Sequence, residues 1–457
     1  MCPIRRRFRV VSVEEEAPSQ RPQMSLYNPA AGLLDTHVTW EDVEKRLRKA
    51  LNTDASFGPN KSATQIGMGE GFIAKIALVE CDWEGAKVSE ELPEKVVIKM
   101  ATCLTLIALV EADPTFKEQE AAGAVTEEMW KAFEDFIKEA HNLEVSAFEF
   151  LRTLTSTKAI RIPNTYYTVP FSGENLAGHI VEEYVDNATI CPIYTNMTLE
   201  QVKEIAAEIG KLQALAFRSG FKSSVLVLAK KDIYSNYWTN FKLDMFEQTL
   251  QFLGEENPGF VETGKRILEI TPTYMGSNLA VTAHKQLGIK GVFACGDMWS
   301  ANVMFDKGTQ KLRAILDLQL AHEGSACEDL FRLAFAALST TDRRANMDEL
   351  LCILHDSMAE NMGDEKAPYT LEQLMDTAQL LMPHFAFFLV PLLAPLYRAM
   401  VGIPGLSDEE SASRKEVMLD KMCGICEDAV VYHDRNEGDT RSFEWSVDDV
   451  ENVKSIV

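Results

Sequence analysis

Three polar residues stand beside short apolar runs in the middle of the chain. Asp297 and Asn302 lie five positions apart in "VFACGDMWSANVMF", and Asp317 ends the apolar run "LRAILD" twenty positions after Asp297. Asp and Asn are common turn residues, because both tolerate tight backbone geometry. Phosphotransferases, however, use the same order of features: an acid, an Asn five positions later, a hairpin and then a strand that ends in Asp. The spacing therefore predicts phosphotransferase chemistry.

Each of these three positions has a task in that chemistry. Asp297 is the candidate catalytic base, because a carboxylate oriented by hydrogen bonds can accept the proton of an attacking alcohol. Asn302 and Asp317 are the candidate ligands of Mg²⁺, a cation that prefers hard oxygen ligands and keeps part of its water shell. ATP and Mg²⁺ are therefore the predicted cofactors.

A glycine-rich run nearer the N-terminus could hold the phosphates of ATP. Gly67, Gly69 and Gly71 in "IGMGEGF" have no side chains, so backbone amides can approach an anion closely. Turn formation is the ordinary role of glycines between strands. The run also differs from the dinucleotide-binding fingerprint, because it precedes a strand and does not open a helix.

A lysine and a glutamate complete the predicted nucleotide site. Lys99 ends the apolar run "VVIK", where an inward-pointing cation needs a buried partner. Glu144 in the predicted helix "HNLEVSAFEFL" is the expected partner, and Glu149 is the competing candidate. A lysine that extends to solvent and a solvated glutamate are the alternatives.

The composition limits the architecture and the partners. The chain has 457 residues, more than one hydrophobic core usually organises, and 69 acidic against 45 basic residues give a formal charge of -24. That charge repels phosphate backbones, so nucleic acid is not an expected partner. The nine cysteines are scattered, which suits a reducing compartment, and we expect a cytoplasmic protein.

The pattern of apolar residues divides the chain into a β-rich part and a helical part. Thr39 is the predicted N-cap of a first helix, β-rich runs fill residues 62–99, and helical periodicity covers residues 126–154. After Leu199 nearly everything is predicted helical except residues 292–318. The expected fold class is α+β with two lobes, a small N-terminal antiparallel β-sheet lobe with a helix and a large, mainly α-helical C-terminal lobe. The predicted divisions are a disordered leader (1–34), an ATP-binding lobe (35–183), a catalytic and acceptor-binding lobe (184–435) and a tail (436–457).

Two segments bear on targeting and membranes. The first 16 residues of the leader contain four arginines followed by three glutamates without an apolar core, which is not the pattern of a signal peptide. The stretch "LLMPHFAFFLVPLLAPLYRAM" approaches membrane-spanning length but contains His384 and three prolines. We expect a buried pair of helices interrupted by proline, and no membrane span.

Four stretches resemble a known family. "THVTWEDVE", "FGPNKSATQIGMGEGF", "CGDMWSANVMF" and "ILDLQLAHEGSACEDLFRLAFAALSTTDRR" are similar to the nematode family of CHK kinase-like proteins. That family is related to ecdysteroid kinase-like proteins and, more distantly, to choline and aminoglycoside kinases. The resemblance implies a protein-kinase-like fold and ATP-dependent phosphorylation of a small-molecule hydroxyl, on a steroid-like, xenobiotic or glycoside acceptor.

The resemblance also implies roles for single residues. The matching positions are the base (Asp297), the magnesium ligands (Asn302 and Asp317), the ATP-orienting ion pair (Lys99 and Glu144) and the hinge beside the adenine (Glu182, Glu183 and Tyr184).

The chain departs from the family at Cys295, where relatives have histidine before Gly-Asp. Cysteine is a weak hydrogen-bond donor, so the loop is expected to be less firmly held, and a catalytic thiol is an alternative.

A pseudokinase that binds nucleotide or a partner without catalysis is the alternative function. Activity on protein substrates is not expected. Only eleven residues separate Asp317 from Asp329, the expected cap of the next helix, and these are too few for a protein-kinase activation segment. The aromatic segment "DIYSNYWTNFKLDMF" is a candidate wall of the acceptor pocket.

Overall fold

The structure is a computed structural model that describes residues 25–67, 73–112, 127–154, 160–220, 243–274, 279–403 and 405–438. Gly69 and Gly71 lie outside the described residues, as do residues 232–242 of the aromatic segment.

The N-terminal lobe is built on one antiparallel sheet of five strands. The strands are β2 (Ser62–Ile66), β3 (Ala74–Glu80), β5 (Lys95–Ala101), β6 (Thr165–Val169) and β7 (His179–Glu183), with β1 (Ser56–Phe57) and β4 (Trp83–Glu84) forming a separate pair. Their order in the sheet is β2, β3, β5, β7, β6. Alternation along β5 sends Val96, Ile98 and Met100 into a core with the first helix, α1 (Trp40–Leu51), and turns Lys99 to the opposite face.

The described part of this lobe also contains three helices: α1 (Trp40–Leu51), α2 (Leu104–Ala112) and α3 (Glu127–Arg152). The predicted N-cap is confirmed, because Thr39 Oγ1 accepts a hydrogen bond from the backbone N–H of Asp42 at 3.2 Å. The structure corrects the predicted end of the leader, which the sequence places at residue 34. Leu26 and Tyr27 are each 1% exposed and pack with Cys103 and Trp130, so residues 25–34 belong to the lobe.

The C-terminal lobe is mainly helical, as the sequence predicts. Its helices are α4 (Leu199–Arg218), α5 (Leu243–Glu256), α6 (Val261–Tyr274), α7 (Leu279–Gln286), α8 (Glu328–Ala337), α9 (Thr340–Asn361), α10 (Leu371–Val401) and α11 (Asp408–Gly438). Two small antiparallel sheets lie among them, one of β11 (Leu312–Ile315), β10 (Val303–Asp306) and β8 (Ala188–Ile190), the other of β12 (His322–Gly324) and β9 (Val292–Ala294). The sequence predicted the strands on either side of the Asp297 loop and the strand that ends at Asp317, but it missed β12.

Helix α10 corrects the prediction of two helices interrupted by proline. It is one helix that contains Pro383, Pro391 and Pro395. Each proline removes one backbone hydrogen bond, but Phe385, Phe387 and their neighbours are buried between helices, and that packing supports a continuous segment. α10 is long and apolar enough to cross a membrane, with 83% of its most apolar window buried inside the protein. Buried core helices share this composition.

Candidate functional site

A cavity of about 630 Å³ lies between the two lobes. Strands β2, β3, β5 and β7 form one side, and β8, β10, α8 and α10 contribute to the other. Nine of the eleven candidate residues line it, and Gly69 and Gly71 lie outside the described residues. The nine are Gly67, Lys99, Glu144, Glu182, Glu183, Tyr184, Asp297, Asn302 and Asp317. The structure therefore brings residues from distant parts of the sequence to one place.

Lys99 joins two carboxylates at the centre of this cavity. Its Nζ lies 2.8 Å from Oε1 of Glu144 and 2.9 Å from Oδ1 of Asp317. Burial opposes the charge of Lys99, but Asp317 and Glu144 outweigh that effect and raise the pKa of the lysine. Burial raises the pKa of Glu144 to about 7, although Lys99 acts in the other direction. The competing candidate, Glu149, is exposed and accepts a 3.5 Å hydrogen bond from Thr168.

Asp317 has an unusual backbone conformation. Its φ of 61° lies in the left-handed region, which costs a residue with a Cβ on the order of 1 kcal/mol. The backbone N–H of Gln319 donates to Asp317 Oδ1 at 3.2 Å and helps hold the side chain. Such strain often occurs at functional sites, and here it places the carboxylate against Lys99.

The loop that carries Asp297 is held through its backbone. Asp329 accepts hydrogen bonds from the N–H groups of Cys295 at 2.7 Å and Gly296 at 2.9 Å. Only glycine fits at position 296, because its φ is 77° and a Cβ there would lie 2.1 Å from the carbonyl oxygen of Leu320. Asp329 is therefore not the helix cap that the sequence suggested. It lies inside the first turn of α8, and Cys327 occupies the N-cap position.

The side chain of Asp297 is also held by donors on both oxygens. Arg332 pairs with Oδ1, and Gln319 Nε2 donates to Oδ2 at 3.2 Å. Burial raises the pKa of Asp297, and the charge of Arg332 opposes the rise. A carboxylate has about four lone-pair positions, so two donors leave it able to accept a further proton or hydrogen bond.

Asn302 is fixed by the loop that precedes it. Its Nδ2 donates to the carbonyl oxygen of Asp297 at 2.8 Å, so its amide oxygen is the group left to bind a cation. Among the described residues, no group of three or more His, Cys, Asp or Glu could hold a metal. One carboxylate and one amide oxygen fit Mg²⁺ bound together with nucleotide phosphates, because Mg²⁺ takes few protein ligands in such sites.

Cys295 is a buried residue at the end of β9, with 1% of its surface exposed. Burial raises the pKa of its thiol well above the ordinary value, and the negative charge of Asp329 acts in the same direction. A thiol kept protonated is a poor nucleophile. The bracing that the sequence predicted to be weak is supplied by Asp329.

The hinge candidates lie at the end of β7 and beyond it. Glu182 pairs in register with Val97 of β5, and both residues line the cavity. Burial, reinforced by the negative charge of Glu144, raises the pKa of Glu182 to about 8. Glu183 and Tyr184 are exposed at the rim.

Four leucines of α10 form an apolar wall of the cavity. Their spacing puts them on one face of the helix, and Ala336 of α8, Ile193 and Trp299 extend the wall. The leucines are Leu389, Leu392, Leu393 and Leu396. The expected wall, the aromatic segment, lies mostly outside the described residues, and its described residue Phe246 is buried against Phe387.

Sequence reasoning missed the roles of Arg332 and Gln319. Arg332 follows Asp329 by three positions in "CEDLFRLAF", so both charges fall on one side of a fully buried helix whose remaining residues, apart from Glu328, are apolar. Charged residues in such a helix need buried partners, and that signal was present in the sequence. Gln319 lies two positions after Asp317, and no comparable signal marks it.

A known protein family matches most of the chain. The family DUF1679, described as "Uncharacterized oxidoreductase dhs-27", matches residues 26–437. The chain belongs to this family. "Uncharacterized kinase-like protein D1044.1" of Caenorhabditis elegans is 25% identical over 260 residues, which are 52% of this chain and 64% of that protein. This relative confirms the resemblance to nematode kinase-like proteins.

A second relative has a different name. "Uncharacterized oxidoreductase dhs-27" of Caenorhabditis elegans is 22% identical over 344 residues, which are 72% of this chain and 38% of that protein. The chain thus spans less than two thirds of either relative. Among solved structures, choline kinase from Cryptosporidium parvum is similar with a TM-score of 0.41 and 13% identity, covering 86% of this chain and 98% of the choline kinase.

Proposed function

We propose that this protein transfers the γ-phosphoryl group of ATP to a hydroxyl group of a small molecule. The observation that carries the proposal is the convergence of Lys99, Asp297 and Asp317 on one cavity between the lobes. These residues come from a sheet and two loops far apart in sequence. A polar cluster of this kind, walled by apolar residues, is typical of a catalytic site.

Each polar residue has a task that its contacts support. Lys99 would neutralise phosphate oxygens, and Glu144 holds the lysine in place through the 2.8 Å ion pair. Asn302 and Asp317 would hold Mg²⁺, which supplies charge neutralisation at the transferring phosphoryl group. Asp297 would accept the proton of the acceptor hydroxyl. Glu182, Glu183 and Tyr184 would flank the adenine.

The acceptor is proposed to be an apolar alcohol of the steroid-like, xenobiotic or glycoside kind. The leucines of α10 support this, because they leave one side of the cavity without charge. A cationic acceptor would need acidic or aromatic partners, and among the described lining residues Trp299 is the one aromatic side chain not assigned to the adenine. Among the described residues, the acidic side chains that line the cavity are Glu144, Glu182, Glu183, Asp297 and Asp317, and all five are already assigned to the base, the metal or the nucleotide.

The proposal is tested by a screen of purified protein with labelled ATP, Mg²⁺ and a set of alcohols, sterols and glucosides. Product formation should require both Mg²⁺ and an acceptor. Asp317→Asn should lower turnover and weaken the dependence of nucleotide binding on Mg²⁺. Binding of Mg-ATP without transfer to any acceptor would instead indicate a pseudokinase, the alternative function.

A further inference from the structure

Arg332 connects the Asp297 loop with the apolar wall of the cavity. Its guanidinium pairs with Asp297 Oδ1 and lies over the ring of Phe388, with its central carbon 4.5 Å from the ring centroid. Only 4% of the Arg332 side chain is exposed. Phe388 immediately precedes Leu389, the first leucine of the wall.

We propose that Arg332 is a positioning residue, held by Phe388, that fixes the Asp297 carboxylate for the acceptor hydroxyl. This inference rests on the function proposed above. It adds a residue that neither the motif nor its spacing identifies, and it gives α10 a part in catalysis as well as in acceptor binding.

The contacts of Asp297 support this role. A carboxylate on a short side chain can rotate, and a donor on each oxygen limits that rotation. Gln319 supplies one donor on a loop, whereas Arg332 supplies the other from a buried helix. A guanidinium is planar and always charged, so stacking on Phe388 leaves it little freedom to turn away.

Helix α8 holds the same loop a second time. Asp329, one turn before Arg332, accepts the backbone N–H groups of Cys295 and Gly296. One helical turn thus fixes both the backbone before Asp297 and the side chain of Asp297. A displacement of about 1 Å at a reacting group can cost about 10²-fold in rate, so such double fixation has catalytic value.

A second buried arginine offers a matched control. Arg343 pairs with Asp428, lies over the ring of Phe335 at 4.4 Å and is 2% exposed, but it does not line the cavity. Substitution of Arg332 and of Arg343 therefore removes the same kind of contact in two places. Only one of them touches the proposed base.

The experiment compares Arg332→Gln, Arg332→Lys and Arg343→Gln by crystal structure, calorimetry with Mg-ATP and turnover with an acceptor from the screen. Arg332→Gln should leave the affinity for Mg-ATP and the KM for ATP unchanged, lower kcat by about 10²-fold and release Asp297 from its rotamer. Arg332→Lys keeps the charge and should restore part of kcat. Arg343→Gln should lower the melting temperature alone.

Two results would overturn the inference. One is an Asp297 side chain in the same single rotamer after Arg332→Gln. The other is a rise in turnover, which would make Arg332 a restraint on the base. The rotamer is read without turnover, so it shows whether Arg332 holds the Asp297 side chain even if the wild-type protein makes no product and the proposed function fails.

Discussion

Lys99 Nζ lies 2.9 Å from Oδ1 of Asp317, a residue 218 positions further along the chain. The same ammonium lies 2.8 Å from Glu144 Oε1. One cation of the N-terminal sheet thus holds two carboxylates, one on α3 and one after a strand of the C-terminal lobe. An ion pair therefore joins the two lobes at the proposed binding site of the ATP phosphates.

Replacement of Lys99 by methionine should impair both binding and stability. The variant should bind a fluorescent ATP analogue more weakly, and it should lose about 3–5 kcal/mol of stability because the buried carboxylate of Glu144 and the half-buried carboxylate of Asp317 lose their cation. Glu144→Gln should give the milder binding defect. Lys75→Met is the control, because Lys75 donates to the Leu34 carbonyl and does not line the cavity. Unchanged ATP affinity and turnover in both site variants would contradict the assignment.

Asp329→Asn should show whether the hydrogen bonds that hold the Asp297 loop matter for turnover as well as for stability. An amide at this position turns an N–H₂ group toward one of two backbone donors, so a hydrogen bond is lost at a cost of about 1–3 kcal/mol. Turnover should fall while Mg-ATP still binds. Asp420→Asn is the matched control. Asp420 accepts a 2.8 Å hydrogen bond from the backbone N–H of Thr340, and neither residue lines the cavity. Equal turnover in the two variants would argue against a role for Asp329 in the loop.

Cys295→Ser should keep turnover within a few-fold of wild type. The thiol is buried, its pKa is raised, and a serine hydroxyl can still donate to Asp329. The folded protein should also resist alkylation at Cys295, which mass spectrometry can follow. Complete loss of turnover in a folded serine variant would support the thiol mechanism.

Glu182 should make stability depend on pH. Its pKa is raised to about 8 in the folded state from the ordinary value of 4.5, so the folded protein binds a proton that the unfolded chain releases. The stability from this proton is complete below about pH 4.5 and is lost as the pH rises through about 8. Glu182→Gln should flatten this loss, by on the order of a few kcal/mol, in denaturant unfolding followed across that range. Glu183→Gln, one position on and exposed, is the control. A pH profile identical to wild type would contradict the raised pKa of Glu182.

The residues of the candidate site could be predicted from the sequence where a charged residue stands in an apolar run. Lys99 at the end of "VVIK" needed a partner, and the order of Asp297, Asn302 and Asp317 limited what that site could do. The choice of Glu144 over Glu149 depended on which side of α3 faces β5. Helical spacing favoured Glu144, the residue that pairs with Lys99 in the structure.

Other features depended on tertiary packing and could not be obtained from local patterns. The continuity of α10 through three prolines is supported by neighbouring helices, whereas local propensity favours a break. Strand β12 has three residues and pairs with β9, so it depends on a partner nearly thirty positions away. The pairing of Arg332 with Asp297 likewise depends on where α8 packs.

Calorimetry of Mg-ATP binding, paired with product detection in the acceptor screen, should separate nucleotide binding from catalysis when wild type is compared with Asp297→Asn. The variant should bind Mg-ATP with nearly wild-type affinity. Its turnover should be lower by about 10²–10⁴-fold, the usual contribution of a positioned base. A wild-type protein that binds Mg-ATP but transfers phosphate to no acceptor, and that Asp297→Asn leaves unchanged, would contradict the assignment of Asp297 as the base of a kinase.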